Sequence, residues 1–407
     1  MAVPKLLHPY AFTTREEYTT MVGGHGATIV DDTGKEYVDA LASLWYLQAG
    51  HGNRHIIDAV TSQMNDLATF HTFDRFANEP SEQLAAMLVE RSPWDDGRVF
   101  LGNSGSEAVE TAMKLARASH VRAGNPERTV IVSRERGYHG VNYGGTTAQG
   151  LPLNKEGWGP LLPDVVQMPA DDLEAMATYF AENGHQIAAV ITEPVQGAAG
   201  VWPPPDGYLE GLRRLCDQHG AYLIFDEVIC GFGRMGTWTA AEFFGVTPDM
   251  ITFAKGVSSG YLPVSGALLS PKVLAPLEAE DNWMLRHGYT YSGHPAATAA
   301  AVANLEVLES ENLLKRATEV GERLSAGLHS LAADGTIAEV RGAGAVWAAR
   351  VGDGVDAIPL RDAMVERGVI PRPIGDSLAF CPPLVITDEQ IDTCVDVLAD
   401  VVNAHVG

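Results

Sequence analysis

The chain has 407 residues, long enough to bury a large core without disulfide or metal staples. With 46% hydrophobic residues, 42 Gly and 23 Pro, it suits a compact, turn-rich α/β enzyme and not a disordered or fibrous chain. Its 52 acidic and 28 basic residues give a net charge of -24, which repels nucleic-acid backbones and anionic lipid.

From the start to about Gly52 the pattern is short strands and turns: Ala27 to Val30, the turn Asp31-Asp32-Thr33-Gly34, then Glu36 to Asp39. No apolar signal segment opens the chain, and no apolar run approaches the ~20 residues a membrane helix needs. Strands are expected at Thr129 to Ser133, Ala188 to Thr192, Tyr222 to Phe225 and Met250 to Phe253. They are short apolar runs without alternation, as when both sheet faces are covered. Helices are expected at Glu107 to His120, Tyr208 to Gln218 and Pro295 to Ser310. Strands separated by helices imply a mostly parallel sheet. The tail reads as strands at Ile337 to Val351 and Ser377 to Ile386, with helices at Leu360 to Arg367 and Asp388 to Val402. The expected organisation is a large domain over residues 53–300 and a smaller α/β domain built from residues 1–52 and 301–407, with the second boundary inside a helix. Cys216, Cys230, Cys381 and Cys394 form no Cys-x-x-Cys pair, so a disulfide framework is not expected and the cytoplasm is the expected location.

Four segments at expected strand ends carry chemistry. Asn103-Ser104-Gly105-Ser106-Glu107 opens a helix, where free N–H groups and the helix dipole suit a phosphate; ordinary capping by Ser104 or Ser106 uses the same residues. Gly137-Tyr138-His139-Gly140 sets an aromatic among glycines, able to lie flat on a planar ring or simply to pack. Asp226 ends a buried strand, as a helix cap or as partner to a protonated pyridine nitrogen. At ~4 Å and an effective dielectric of ~20 that second pairing is worth about 4 kcal/mol, roughly three pK units. Lys255 leaves another apolar strand, where an amine is costly unless it has a partner or forms an imine with an aldehyde. Phosphate cradle, stacking aromatic, pyridinium partner and imine lysine are together the parts of a pyridoxal phosphate (PLP) site.

Two other patterns carry less. Gly231-Phe232-Gly233-Arg234-Met235-Gly236 spells a dinucleotide fingerprint, but the position 19 residues after Gly236 is Lys255 and not an acidic residue. His51 and His55 stand four apart, yet Gly52 and Asn53 speak against a helix and no third ligand stands out, so no metal is expected.

In the order NSGSEA, GYHG, EPVQG, FDEVICGFGRMG, FAKG and YTYSGHP, the chain resembles class III aminotransferases of PLP fold type I over nearly its whole length. The resemblance implies a mostly parallel central sheet flanked by helices, with a smaller α/β domain from both chain ends. It implies Ser104, Gly105 and Ser106 at the phosphate, Tyr138 on one ring face, Val228 on the other, and His139 at the cofactor. Asp226 would meet the ring nitrogen with Glu193 behind it, and Lys255 would form the Schiff base. Thr290 would reach the phosphate of a neighbouring subunit, making a homodimer with shared sites, or a tetramer of them; helix capping by Thr290 is the competing role. The segments Ser43-Leu44-Trp45 and Ile370-Pro371-Arg372-Pro373-Ile374-Gly375 look like those of ω-amino acid and amine:pyruvate transaminases. There Trp45 and Phe73 would line the substrate pocket with Tyr138, and Arg372 would bind the acceptor's carboxylate. Relatives specific for 2-oxoglutarate often carry a glutamate where this chain has Ala198, which argues for pyruvate. The implied reaction is ping-pong amino transfer through pyridoxamine phosphate, from an ω-amino acid or amine donor to an α-keto acid. An aminomutase, racemase or decarboxylase on the same scaffold shares most of these motifs, whereas a PLP-binding protein without turnover has no need to keep Lys255, Asp226 and Tyr138 together.

Overall fold

The computed structural model describes residues 5–406. The expected mixed α/β architecture is what it shows. The central sheet has seven strands: β4 (Arg98–Gly102), β5 (Val130–Arg134), β6 (Val165–Met168), β7 (Ile187–Thr192), β8 (Tyr222–Asp226), β9 (Met250–Phe253) and β10 (Ser265–Leu269). Their spatial order is β4-β10-β9-β8-β7-β5-β6. The run from β9 to β6 is parallel, and β10 is antiparallel to both β9 and β4. Helices cover both faces, so β5, β7, β8, β9 and β10 are buried at every residue. Phe225 and Phe253 have no exposed surface, and burying such a side chain stabilises by about 1.5–3 kcal/mol.

Two smaller sheets flank this one. The first holds β1 (Met21–His25), β2 (Thr28–Asp31), β3 (Glu36–Asp39) and β13 (Val369–Ile370), the last pairing in parallel with β3. Chain start and chain end thus meet in one sheet. The second holds β11 (Glu339–Ala343), β12 (Val346–Arg350), β14 (Arg372–Ile374) and β15 (Ser377–Phe380), ordered β11-β12-β15-β14. The stretch read as one strand from Ile337 to Val351 is therefore a hairpin, turned at Gly344, whose φ of 51° suits glycine. The stretch from Ser377 ends as a strand at Phe380, just before Pro382 and Pro383, which have no N–H to pair. Gly231 to Gly236 winds as turns and opens no helix, which removes the dinucleotide reading. His51 lies outside the Arg54–Asp66 helix that contains His55; the two histidines turn to Asp39 and Glu306 respectively. Among the described residues no His, Cys, Asp and Glu group could hold a metal, and no helix is long and apolar enough to cross a membrane.

The alanine-rich helix Pro295–Ser310 is buried along most of its length and packs against the helices Arg54–Asp66 and Glu79–Glu90. Small side chains allow that close approach. It also carries the fully buried Asn304, whose amide donates to the carbonyls of Gly256 and Val257, both at 2.9 Å. Its carbonyl oxygen accepts from Ser259 Oγ at 2.6 Å. One side chain thereby fixes the 3-10 turn Lys255–Val257 on the end of β9. Replacing Asn304 by Leu removes the side-chain donor of two buried carbonyls, leaving Gly256 O with only the turn's own N–H groups, and strands one hydroxyl. We expect a loss of about 2–4 kcal/mol in chemical denaturation of the cofactor-free protein, and an unchanged midpoint would refute this anchoring role.

Candidate active site

The C-terminal ends of β5, β7, β8 and β9 converge with the start of the helix Gly105–Arg122. Between them lies a cavity of about 160 Å³ lined by Gly105, Ser106, Tyr138, Asp226, Val228 and Lys255, with Val109, His139, Gly140, Glu193, Ile229 and Ala254 completing the wall. The four segments read from sequence thus meet in one place.

Each wall residue has a local reason for its position. Ser104 is the N-cap of the helix, its Oγ accepting from Glu107 N at 3.2 Å. That hydroxyl is committed to the cap, and Ser104 is not among the lining residues, so the backbone of Gly105 and Ser106 forms the helix-end face of the cavity. A Cβ on Gly105 would stand 3.1 Å from Val228 Cγ1, narrowing the cavity at that end. Gly140, at φ 91°, lets the loop close over Ser106, whose Oγ accepts from Val141 N at 3.0 Å. Lys255 begins its turn at φ 46°, and Gly256 follows it because a Cβ there would meet Gln48 Nε2 at 2.0 Å.

The electrostatics centre on Asp226. One carboxylate oxygen lies 2.8 Å from His139 Nδ1, and the other accepts from Thr252 Oγ1 at 3.1 Å and Val228 N at 3.3 Å. His139 Nε2 is buried with no partner, so a proton on Nδ1, donated to Asp226, satisfies the ring best. Behind them Glu193 accepts from Tyr138 N at 2.7 Å and Gly197 N at 3.1 Å. Burial pushes the Glu193 carboxyl up to about 7, with His139 opposing and Asp226 adding to the rise. The buried guanidinium of Arg134 donates to the Glu193 carbonyl at 2.7 Å and lies over the Tyr208 ring. Burial lowers the Lys255 pKa, while Asp226 and Glu193 hold it up. Burial likewise raises the Tyr138 phenol above its usual range.

These features fit PLP. A glycine-and-serine helix end suits its phosphate, Tyr138 and Val228 suit the two ring faces, Asp226 suits the pyridine nitrogen, and Lys255 is the one amine on the wall.

Not every expected residue lines this cavity. Arg372 is half-buried, with Tyr10 and Tyr138 close enough to bear on its charge. Trp45 is buried in a cluster with Ile229, Cys230 and Cys381; Ile229 lines the cavity, and the two cysteines lie near Lys255. Phe73, expected beside Tyr138, is 45% exposed and lines a separate cavity of about 370 Å³ with Phe100, His287 and Gly288. Thr290 is exposed, stands outside the Lys255 cavity and does not cap the following helix, whose N-cap is His294. Phe73 and Thr290 therefore share one exposed region: a Cβ on Gly288 would lie 3.0 Å from the Phe73 ring. Sequence reasoning missed Thr252, Ile229 and Tyr10. Only Thr252 left a signal, as a hydroxyl three residues before Lys255 on an otherwise apolar strand.

A sequence model of the family described as Aminotransferase class-III matches residues 11–402. The chain is 36% identical to a beta-alanine--pyruvate aminotransferase of Pseudomonas aeruginosa, over 94% of this chain and 91% of that protein. It is 37% identical to an omega-aminotransferase of Caulobacter vibrioides, over 89% of each. The crystal structure of the omega transaminase from Pseudomonas jessenii in complex with PMP superposes with a TM-score of 0.94 at 32% identity, covering 98% of this chain and 96% of that one. Borohydride reduction of the PLP-loaded protein is expected to fix the label on the Lys255 peptide. Lys255→Ala should lose that label, with turnover falling about 10²–10⁴-fold. A label on another lysine would overturn the assignment.

Proposed function

The chain belongs to the class-III aminotransferases, and we propose that it moves an amino group from an ω-amino acid or simple amine to pyruvate by a ping-pong mechanism. The observation that carries this reading is the meeting of Lys255, Asp226, Tyr138 and the Gly105-Ser106 helix end on one cavity. The names of its relatives, with pyruvate as stated acceptor in one, support the substrate class.

When bound, PLP supplies an aldehyde carbon and an electron-accepting ring. Asp226 would keep the pyridine nitrogen protonated. His139 and Thr252 hold that carboxylate in one orientation, so it loses nothing to reorganisation during reaction. The N–H groups of Gly105 and Ser106 would hold the phosphate, and Tyr138 and Val228 would contact the ring. The Lys255 amine, its pKa lowered by burial, has a population of neutral form able to take the proton from the carbon that bears the donor's amino group. Arg372 binds the acceptor's carboxylate. With Ala198 in the segment after Glu193 there is no second carboxylate at that position to pair with the arginine, which favours the short acceptor.

The active unit in this reading is a homodimer in which Phe73 and Thr290 complete the partner's site. Their shared exposed position, away from the Lys255 cavity of their own chain, supports the exchange. Four free, buried cysteines suit a reducing cytoplasm.

Pyruvate should outperform 2-oxoglutarate in a donor panel, and no product should form without added keto acid; turnover in its absence would favour an aminomutase. Arg372→Ala should raise KM for pyruvate about ten- to a hundredfold, the worth of a charge-assisted contact, and leave KM for an uncharged amine nearly unchanged. Equal losses for both substrates would exclude a carboxylate role. Mixing the inactive variants Lys255→Ala and Thr290→Glu under subunit exchange should restore about a quarter of wild-type activity, because each mixed dimer keeps one intact site of two. No recovery would place Thr290 and Lys255 of the same chain in one site.

A further inference from the structure

The turn that carries Trp45 is strained. Ala42, Ser43 and Trp45 have φ of 49°, 59° and 68°, and none is glycine. Ser43 combines its φ with a ψ of -84°, outside even the left-handed helical region, and Leu44 follows at φ -134°, ψ 64°. Side chains with a Cβ leave such conformations unless the surroundings hold them.

At its start the turn is held by one carboxylate. Asp39, 3% exposed at the end of β3, accepts from Leu41 N at 3.2 Å through Oδ1 and from Ser43 N at 2.6 Å through Oδ2. Oδ2 also lies 3.2 Å from His51 Nε2, which orients it. Asp39 is itself fixed, because its N–H donates to Ala27 O at 2.8 Å and its backbone pairs with Ile370 of β13. Farther along the turn, Ser43 Oγ donates to the Tyr46 hydroxyl at 2.6 Å, and Trp45 N closes on Leu41 O at 2.9 Å. Nothing in Lys255 chemistry requires a buried carboxylate here. The turn does: its two inward N–H groups, on Leu41 and Ser43, both meet that carboxylate, and Ala42 between them is held at positive φ.

We propose that Asp39 is a positioning residue for donor specificity: its carboxylate holds the Leu41–Tyr46 turn in the conformation that keeps Trp45 packed behind Ile229, and so limits the size of amine the cavity admits. The inference rests on the reading of Trp45 as a wall of the donor site. Without the charge on Asp39, Ser43 relaxes to negative φ and Trp45 leaves the cluster it shares with Ile229, Cys230 and Cys381.

The test uses the PLP-loaded enzyme with pyruvate as acceptor and two donors, isopropylamine and 1-phenylpropylamine, and reads the ratio of their kcat/KM values. Asp39→Asn should shift that ratio towards the bulky donor by roughly tenfold, as for loss of a charge-assisted hydrogen bond, with the absorbance of the bound cofactor unchanged. Adding Ser43→Gly, which adopts positive φ without penalty, should bring the ratio back to within about threefold of wild type. A proportional loss for both donors, or no rescue by glycine, makes Asp39 merely structural and overturns the proposal. So does failure of both Asp39→Asn and Asp39→Asn/Ser43→Gly to fold. Trp45→Ala separates the premise from the inference. If it leaves the ratio unchanged, the reading of Trp45 fails and takes the proposal with it. If it shifts the ratio while Asp39→Asn does not, the reading of Trp45 stands and the role of Asp39 fails.

Discussion

A carboxylate at the end of a buried strand is costly unless hydrogen bonds and an opposite charge compensate it, and Asp226 is surrounded by groups that do so. His139, Thr252 and the Val228 N–H each come from a different segment, and all three bear on its two oxygens. Lys255 lies within electrostatic reach, and Glu193 stands behind as a second carboxyl that burial, with a smaller push from Asp226, drives towards its neutral form. A pyridinium nitrogen would supply the remaining compensation. The arrangement depends on the register of β8 and β9, which pairs Asp226 with Thr252, because a strand displaced by one residue would turn its side chains to the other sheet face.

The architecture explains why the residues of the cavity wall come from distant stretches yet meet in one place. Parallel strands return their C-terminal ends to one edge, and the loops leaving those ends face one another. The buried helix Pro295–Ser310 then locks the last of these loops through Asn304. Left-handed residues sit at the rim of this frame. Lys255, Ser259, Ala42, Ser43 and Trp45 all have positive φ without being glycine, and each leaves the backbone where a hydrogen-bonded neighbour over-determines it. Strain of about 1–2 kcal/mol per residue is tolerable because the core around it is fully buried.

The two flanking sheets join this frame to the substrate side. β13 returns the C-terminal part of the chain to the strand that ends in Asp39, and β14, starting at Arg372, follows within two residues. The turn of Trp45 follows the strand that β13 pairs with, and the strand of Arg372 follows β13 in the chain but pairs with β15 in the second small sheet. Phe73 and Thr290 line no wall of the Lys255 cavity of their own chain; Phe73 packs near Gly288, two residues before the exposed Thr290, and in that reading another surface completes their role.

The residues that line the cavity were legible from the sequence because each is a local event: an apolar strand stops, and a small, aromatic or charged residue follows within five positions. The helix start at Ser104, the loop at Tyr138, the carboxylate at Asp226 and the amine at Lys255 all obey that pattern, and strand alternation with helices set the sheet type. Tertiary structure alone decided which of those residues commit their side chains elsewhere. Ser104 caps a helix, Thr252 turns its hydroxyl to Asp226, Asn304 reaches across to the Lys255 turn, and Phe73 faces away from Tyr138. These outcomes depend on contacts between residues tens to hundreds of positions apart. Residue type and spacing carry no record of such pairings, because a hydroxyl, an amide or a phenyl ring satisfies itself equally well against many partners and the packing of the whole chain selects one.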